Sequence, residues 1–189
     1  MGKVFPELDE PLRAWIAAQH VFFVATAPSG AEGHVNCSPK GLDAFRVLGP
    51  KTVAYVDYVG SGAETVAHVR QNGRIVVMFC AFEGAPRIVR LHGRGTIVEP
   101  SDAEFEALLA HFDPGPGLRS IVRIHVTRIS DSCGFGVPLL RFEDDRPQLA
   151  AWAVRKQDGL ASYQRDKNRS SIDGLPGLKW TQRDPELDD

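Results

Sequence analysis

The chain is poor in the residues that mark several large classes of protein. Of its 189 residues only three are cysteine, Cys37, Cys80 and Cys133. They lie far apart and form no C-x-x-C, which supports neither a disulfide framework nor a cysteine zinc site, and a reduced compartment is the expectation. The six histidines include no pair at i, i+4, so a helical H-x-x-x-H metal site is absent and no metal is expected. No apolar run approaches the roughly 20 residues of a membrane span. The opening Met1–Glu10 is mixed and acidic, unlike a secretory leader. Neither charge dominates: the net charge is −2 and the isoelectric point about 6.3, which disfavours a nucleic-acid binder relying on bulk positive charge. No repeat or low-complexity segment occurs. These absences predict a cytoplasmic globular protein with no nucleic-acid or membrane partner.

What is present is β-rich. A hydrophobic share of 43% is ordinary for a globular chain, and the length suits one domain. Asp9-Glu10-Pro11 opens a short helix with Leu12, Trp15, Ile16 and Gln19 along one stripe. Strands are predicted over 20–27, 34–38, 44–48, 51–58, 74–82, 87–99 and 119–130, from β-branched and aromatic runs bounded by Gly and Pro turns. In the run over 51–58, Val53, Tyr55 and Asp57 share one face. The run over 74–82 is almost continuously apolar and predicts burial on both faces. In 87–99, Arg90, His92 and Arg94 share a face, either solvated or lining a groove for an anion, while Gly93 and Gly95 leave room for a bulge or a close backbone on the other.

Two stretches carry candidate chemistry. In Ser38-Pro39-Lys40-Gly41 a lysine is held between a residue of fixed φ and one without a side chain, which reads either as a plain turn or as a rigid ledge presenting a cation. In Gly60-Ser61-Gly62-Ala63-Glu64-Thr65, Ser61 is a candidate N-cap with Glu64 completing a capping box, and Asn72-Gly73 ends the helix. A strand running into such a helix start is either an anion seat or a capped surface helix. Ser101 and Glu104 form a second candidate capping box, for a helix over 101–112. Helices are also predicted over 147–156 and 160–167, then an extended 170–180 and a mobile tail over 181–189. Cys37 adjoins the ledge and reads as a small buried thiol ahead of a site residue, and His92 and His125 read as structural or solvated groups ahead of proton donors.

Few connecting helices and antiparallel neighbours predict a mainly β fold, a six-stranded antiparallel barrel with peripheral helices, as a single domain whose core covers about 11–130 and whose helical and irregular extension covers 131–189. Three stretches together resemble the FMN-binding split-barrel family that includes pyridoxamine 5′-phosphate oxidase: Ser38–Gly41, Tyr55–Ser61 with the helix and Asn72–Val77 after it, and Arg87–Gly93. The resemblance implies a split barrel, a homodimer with a flavin at each interface, and an oxidoreductase acting on a small molecule. It implies that Ser38, Lys40 and Gly41 approach the flavin, that Ser61 and Thr65 hold its phosphate, that Asp57 and Tyr58 line the groove, and that Arg74 and Arg90 supply positive charge, Arg90 from either subunit. It gives no protein nucleophile a role, since the flavin carries the electron chemistry. The oxidase carries an Arg-Lys pair after the turn serine, where this chain has Gly62-Ala63, and its C-terminal substrate segment is unlike residues 131–189. A relative other than the true oxidase is therefore expected. The alternatives are a reductase using the deazaflavin F420 and a flavin-binding protein without catalysis.

Overall fold

The computed structural model describes residues 2–183. Eight antiparallel strands form one sheet: β1 (Val4–Phe5), β2 (Phe22–Thr26), β3 (Asn36–Lys40), β4 (Phe45–Gly49), β5 (Thr52–Tyr58), β6 (Arg74–Cys80), β7 (Ile88–Val98) and β8 (Leu118–Ser132). Their order is β3-β2-β6-β7-β8-β5-β4, with β1 added to β8. Among the described residues no ladder joins β3 to β4, so the sheet curls without closing and the barrel is split. The expected fold class is the one found. Each of the seven predicted runs forms a strand, and the eighth is β1, a two-residue strand too short to read from a pattern, so the count exceeds the six expected of the barrel.

The core follows from period-2 alternation. On β2, Phe22, Val24 and Thr26 are buried; on β6, Ile75, Val77 and Phe79; on β8, Val122, Ile124 and Val126. Phe22, Phe45, Tyr55 and Phe79 form a cluster with ring centroids 5.0–5.8 Å apart. The expectation that β6 is buried on both faces is corrected. Val76 and Met78 are only half-buried, because no second layer covers that face of a curled sheet as completely as the interior covers the other. Gly93 sits at a bulge between β7 and β8, where a Cβ would meet the His125 carbonyl oxygen at 2.4 Å. The room left by glycine is used for that close approach.

Three helices decorate the barrel before the extension: α1 (Glu10–Ala17), α2 (Glu64–Asn72) and α3 (Phe105–Leu109). Asp9 caps α1 by accepting the Leu12 N–H at 3.0 Å. Gly73 ends α2 in the left-handed region at φ 70°. Neither expected capping box forms. The N-cap of α2 is Ala63, two residues past Ser61, and the Glu64 carboxylate is taken by the Ile172 N–H at 3.1 Å. At α3, Glu104 is engaged by Arg123 at 3.3 Å, and the helix shortens to five residues.

The extension runs through irregular chain to α4 (Gln148–Arg155) and α5 (Leu160–Lys167), joined by a single 3₁₀ turn at Gln157–Gly159. It then folds back over the barrel. Leu178 is fully buried in the barrel's core, and the Lys179 N–H meets the buried Glu99 carboxylate at 2.9 Å. Thr181, placed by sequence in a mobile tail, is buried within a 3₁₀ turn; the remainder of that expected tail, 184–189, lies outside the described residues.

Candidate functional site

The floor of the site is a buried carboxylate. Asp57 lies near the end of β5, fully out of solvent, and holds two cations. Its Oδ1 accepts Lys40 Nζ at 3.0 Å and its Oδ2 accepts Arg119 Nε at 2.7 Å. Ser120, opposite Asp57 in the β5–β8 ladder, adds its hydroxyl at 3.4 Å. Burial alone pushes the Asp57 carboxyl up; the Arg119 and Lys40 charges beside it reverse that and hold it at about 2. One anion is shared by two cations beneath the groove, and the Glu64 carboxylate lines the same groove at the start of α2.

Above this floor runs a groove of about 510 Å³. One wall is β3. Strand alternation puts Asn36, Ser38 and Lys40 on the same face, all half-buried and all lining the groove. Proline is tolerated at position 39 because β3 is a sheet edge. The opposite wall is the turn from β5 into α2, with Tyr58, Ser61 and Thr65, and with Arg119 at its base. The walls are tied together: Asn36 Nδ2 donates to Thr65 Oγ1 at 3.0 Å, and Ser38 Oγ to Asn36 Oδ1 at 3.2 Å. No side chain caps the N-terminus of α2, so its first-turn amides are donors for whatever occupies this end.

The structure therefore brings Ser38, Lys40, Gly41, Tyr58, Ser61 and Thr65 together around one groove. Asp57 sits behind the wall and acts through Lys40 and Arg119. Arg74 and Arg90 do not line the groove of their own chain. Arg74 starts β6 beside Arg94, and Arg90 Nη1 donates to Ser132 Oγ at 3.0 Å. Cys37 is exposed on the other face of β3 from Lys40, which corrects the buried thiol expected from sequence: on an edge strand, one residue's shift of face is the difference between core and solvent. His92 and His125 are exposed and line neither groove wall.

Sequence reasoning missed Asn36, Arg119 and Asn168. The Asn36–Ser38–Lys40 alternation was the available signal for the first. An arginine beside a serine at the start of an otherwise apolar strand was the signal for the second. Arg119 Nη1 donates to the Gly62 carbonyl at 2.8 Å, which places a cation beside Gly62-Ala63. Nothing in the sequence marked Asn168, which is fully buried and whose Nδ2 donates to the Gly60 and Gly62 carbonyls at 2.9 and 3.2 Å. The extension thus fixes the turn that forms one groove wall. It also latches over the rim, where Asp173 accepts the backbone N–H and Nδ1 of His34 at 2.9 and 2.7 Å.

Among the described residues, no group of three His, Cys, Asp or Glu side chains is placed to hold a metal ion, and no helix is long and apolar enough to cross a membrane. Comparison with known proteins agrees with the architecture. The chain is 39% identical over 198 residues to the pyridoxamine 5′-phosphate oxidase family protein ustO of Aspergillus flavus, an alignment covering 95% of this chain and 79% of that one. Among solved structures, HupZ of Group A Streptococcus superposes with a TM-score of 0.51 at 24% identity, covering 64% of this chain and 90% of that chain. A Lactobacillus delbrueckii protein provisionally named a pyridoxamine 5′-phosphate oxidase superposes with a TM-score of 0.50 at 16% identity, covering 67% of this chain and 98% of that one. At those identities the likeness is one of fold. The sequence model of pyridoxamine 5′-phosphate oxidase matches residues 8–133, the barrel without β1, from before α1 to the end of β8, and the chain belongs to that family.

Proposed function

We propose that this protein is a flavin-dependent oxidoreductase that binds FMN in the groove between β3 and the start of α2. The observation that carries the reading is the convergence of Asn36, Ser38 and Lys40 on one side, Ser61, Thr65 and the uncapped α2 terminus on the other, and the Lys40–Asp57–Arg119 triad beneath. The donor set fits a phosphate-bearing planar cofactor. Hydroxyls, an amide side chain and helix-start amides suit a phosphate, and Val56, Ala44 and Leu42 supply apolar surface for a ring system. FMN supplies the two-electron chemistry when bound. The chain's own residues bind and orient. Asp57 holds Lys40 and Arg119 in place beside the groove, Lys40 would offer positive charge to a bound flavin, and Asn168 fixes the Gly60–Gly62 turn. The functional unit is a homodimer, as family membership suggests, with Arg90 entering the groove from a second copy.

The test is a titration of the purified protein with FMN, with the deazaflavin F420 as the competing cofactor. FMN is expected to bind and to be reduced by NAD(P)H. Lys40→Ala is expected to weaken FMN binding by about tenfold, the worth of one charge-assisted hydrogen bond. A protein that stays colourless after incubation with FMN refutes the reading. Binding without reduction by NAD(P)H or reduced deazaflavin leaves a flavin-binding module, and preferential F420 binding leaves the deazaflavin reductase.

A further inference from the structure

The ledge Pro39-Lys40-Gly41-Leu42 lines two cavities, not one. Adjoining the groove, and sharing this ledge and Leu149 with it, lies a chamber of about 1200 Å³, somewhat larger than the roughly 300–1,000 Å³ of pockets for drug-sized ligands. The chamber exists because of the extension. After β8 the chain crosses back along the barrel, and residues 140–149 form a strap that walls one side of an open space between the end of α1 and the β6–β7 turn. The strap is tied at defined points. The Leu140 N–H donates to the Phe82 carbonyl at 2.9 Å and the Phe142 N–H to Glu83 Oε1 at 2.9 Å. The Phe142 ring lies flat on the His20 imidazole, with centroids 3.8 Å apart and planes within 4°.

The chemistry of the walls selects the occupant. Trp15, Leu42, Phe82, Leu140, Phe142 and Leu149 give an aromatic and branched-apolar lining. The charged lining is mixed: Glu83, Asp144 and Asp145 against Arg141 and Arg146, while Lys40 is already held by Asp57. Nothing there concentrates positive charge, as recognition of a phosphate ester requires. Gly41 keeps the ledge thin between the two spaces. A Cβ at that position would stand 3.3 Å from the His20 carbonyl oxygen, so a side chain there would crowd the wall.

We infer that this chamber is the substrate site, and that it takes the uncharged aromatic or branched-apolar body of an organic molecule, not a phosphorylated one. As a substrate site the inference rests on the flavin reading; as a binding site it does not. The arrangement places an apolar substrate beside the cofactor groove, along the ledge the two share, with the strap of this chain's extension setting specificity.

The test uses the full chain, with and without FMN, and the uncharged fluorescent probe N-phenyl-1-naphthylamine. Saturable one-to-one binding is expected, with indole displacing the probe and pyridoxal 5′-phosphate failing to. Ala85 is exposed on the β6–β7 turn and lines the chamber, so Ala85→Trp fills the space from a position that does not carry the fold. Ala85→Trp and Phe142→Ala should each weaken the probe by at least about tenfold, the scale of one ring's apolar contact, with FMN affinity unchanged. The inference is overturned if the probe does not bind, if neither variant alters its binding, or if pyridoxal 5′-phosphate displaces it and indole does not. It is also overturned if Ala85→Trp turns a dimer into a monomer without affecting the probe, since a second copy then fills the space. Probe binding that responds to both variants in a protein that binds no FMN would refute the flavin reading and leave the chamber standing.

Discussion

In the barrel, β7 is paired along both edges, eleven residues with β8 on one side and seven with β6 on the other. In the extension, the single strand-like contact outside β8 among the described residues is the isolated bridge between Ser170 and Pro176. The barrel is held by ladders and a continuous apolar interior, so its stability is spread over many small terms. The extension is held at points: Asn168 under the Gly60–Gly62 turn, Ile172 on Glu64, Leu178 in the core and Lys179 on Glu99. A distributed scaffold suits a fixed groove floor. A point-anchored wrap leaves the surface it covers free to differ between relatives without disturbing the sheet, and here that surface includes the chamber wall.

The comparison makes different demands on different residues. The largest effect is expected inside the barrel. Asp57→Ala strands Arg119, buried with a side chain 5% exposed, together with Lys40, and should cost about 3–5 kcal/mol in global stability, measured by urea unfolding. A loss below about 1 kcal/mol would show that the triad is not what holds this end of the barrel. Glu99→Ala removes the acceptor of the Lys179 N–H and of Arg70, and about 2–3 kcal/mol of local stability. Hydrogen exchange should rise over 175–183 while β7 stays protected. Uniform loosening of both would break the distinction between point anchors and ladders.

Acid should reach the barrel through the same carboxylate. The folded pKa of Asp57, about 2, lies below the ordinary 3.8, so the native state releases this proton more readily than the unfolded chain. Its contribution, about 2 kcal/mol, is present above pH 4 and is lost as pH falls from about 4 toward 2. Unfolding free energies across that range check it, with the Asp57→Ala variant expected to show a shallower slope. The smallest effect is Asn168→Ala, about 1–2 kcal/mol for carbonyls left without their donor, with a weaker FMN affinity as the wall turn relaxes. Stability loss without any change in FMN binding would separate the extension from the cofactor groove.

The strands of the barrel were legible because each announces itself within a few residues. Alternation on β2, β7 and β8, the glycines at the β7 bulge and the Gly73 stop of α2 are local patterns, and local patterns survive in a sequence. The two capping boxes failed for the opposite reason: Glu64 and Glu104 found partners at Ile172 and Arg123, and a distant partner outcompetes a helix end that has the right letters. The β3 ledge lay between. Its proline, lysine and glycine were visible, but not that Asn36 shares its face.

The sequence by itself determined the alternation of the sheet, the family, and the ledge and helix start that form the groove. Only the tertiary structure decided that Asp57 and Arg119, 62 residues apart, share one buried contact, and that Asn168 reaches back 108 residues to the Gly60 carbonyl. It alone made the strap over residues 140–149 into the wall of a second cavity. The reason is physical. Period and propensity act along a few residues of chain, whereas a buried charge must find its counter-charge, and a carbonyl its donor, wherever the fold brings one within about 3 Å.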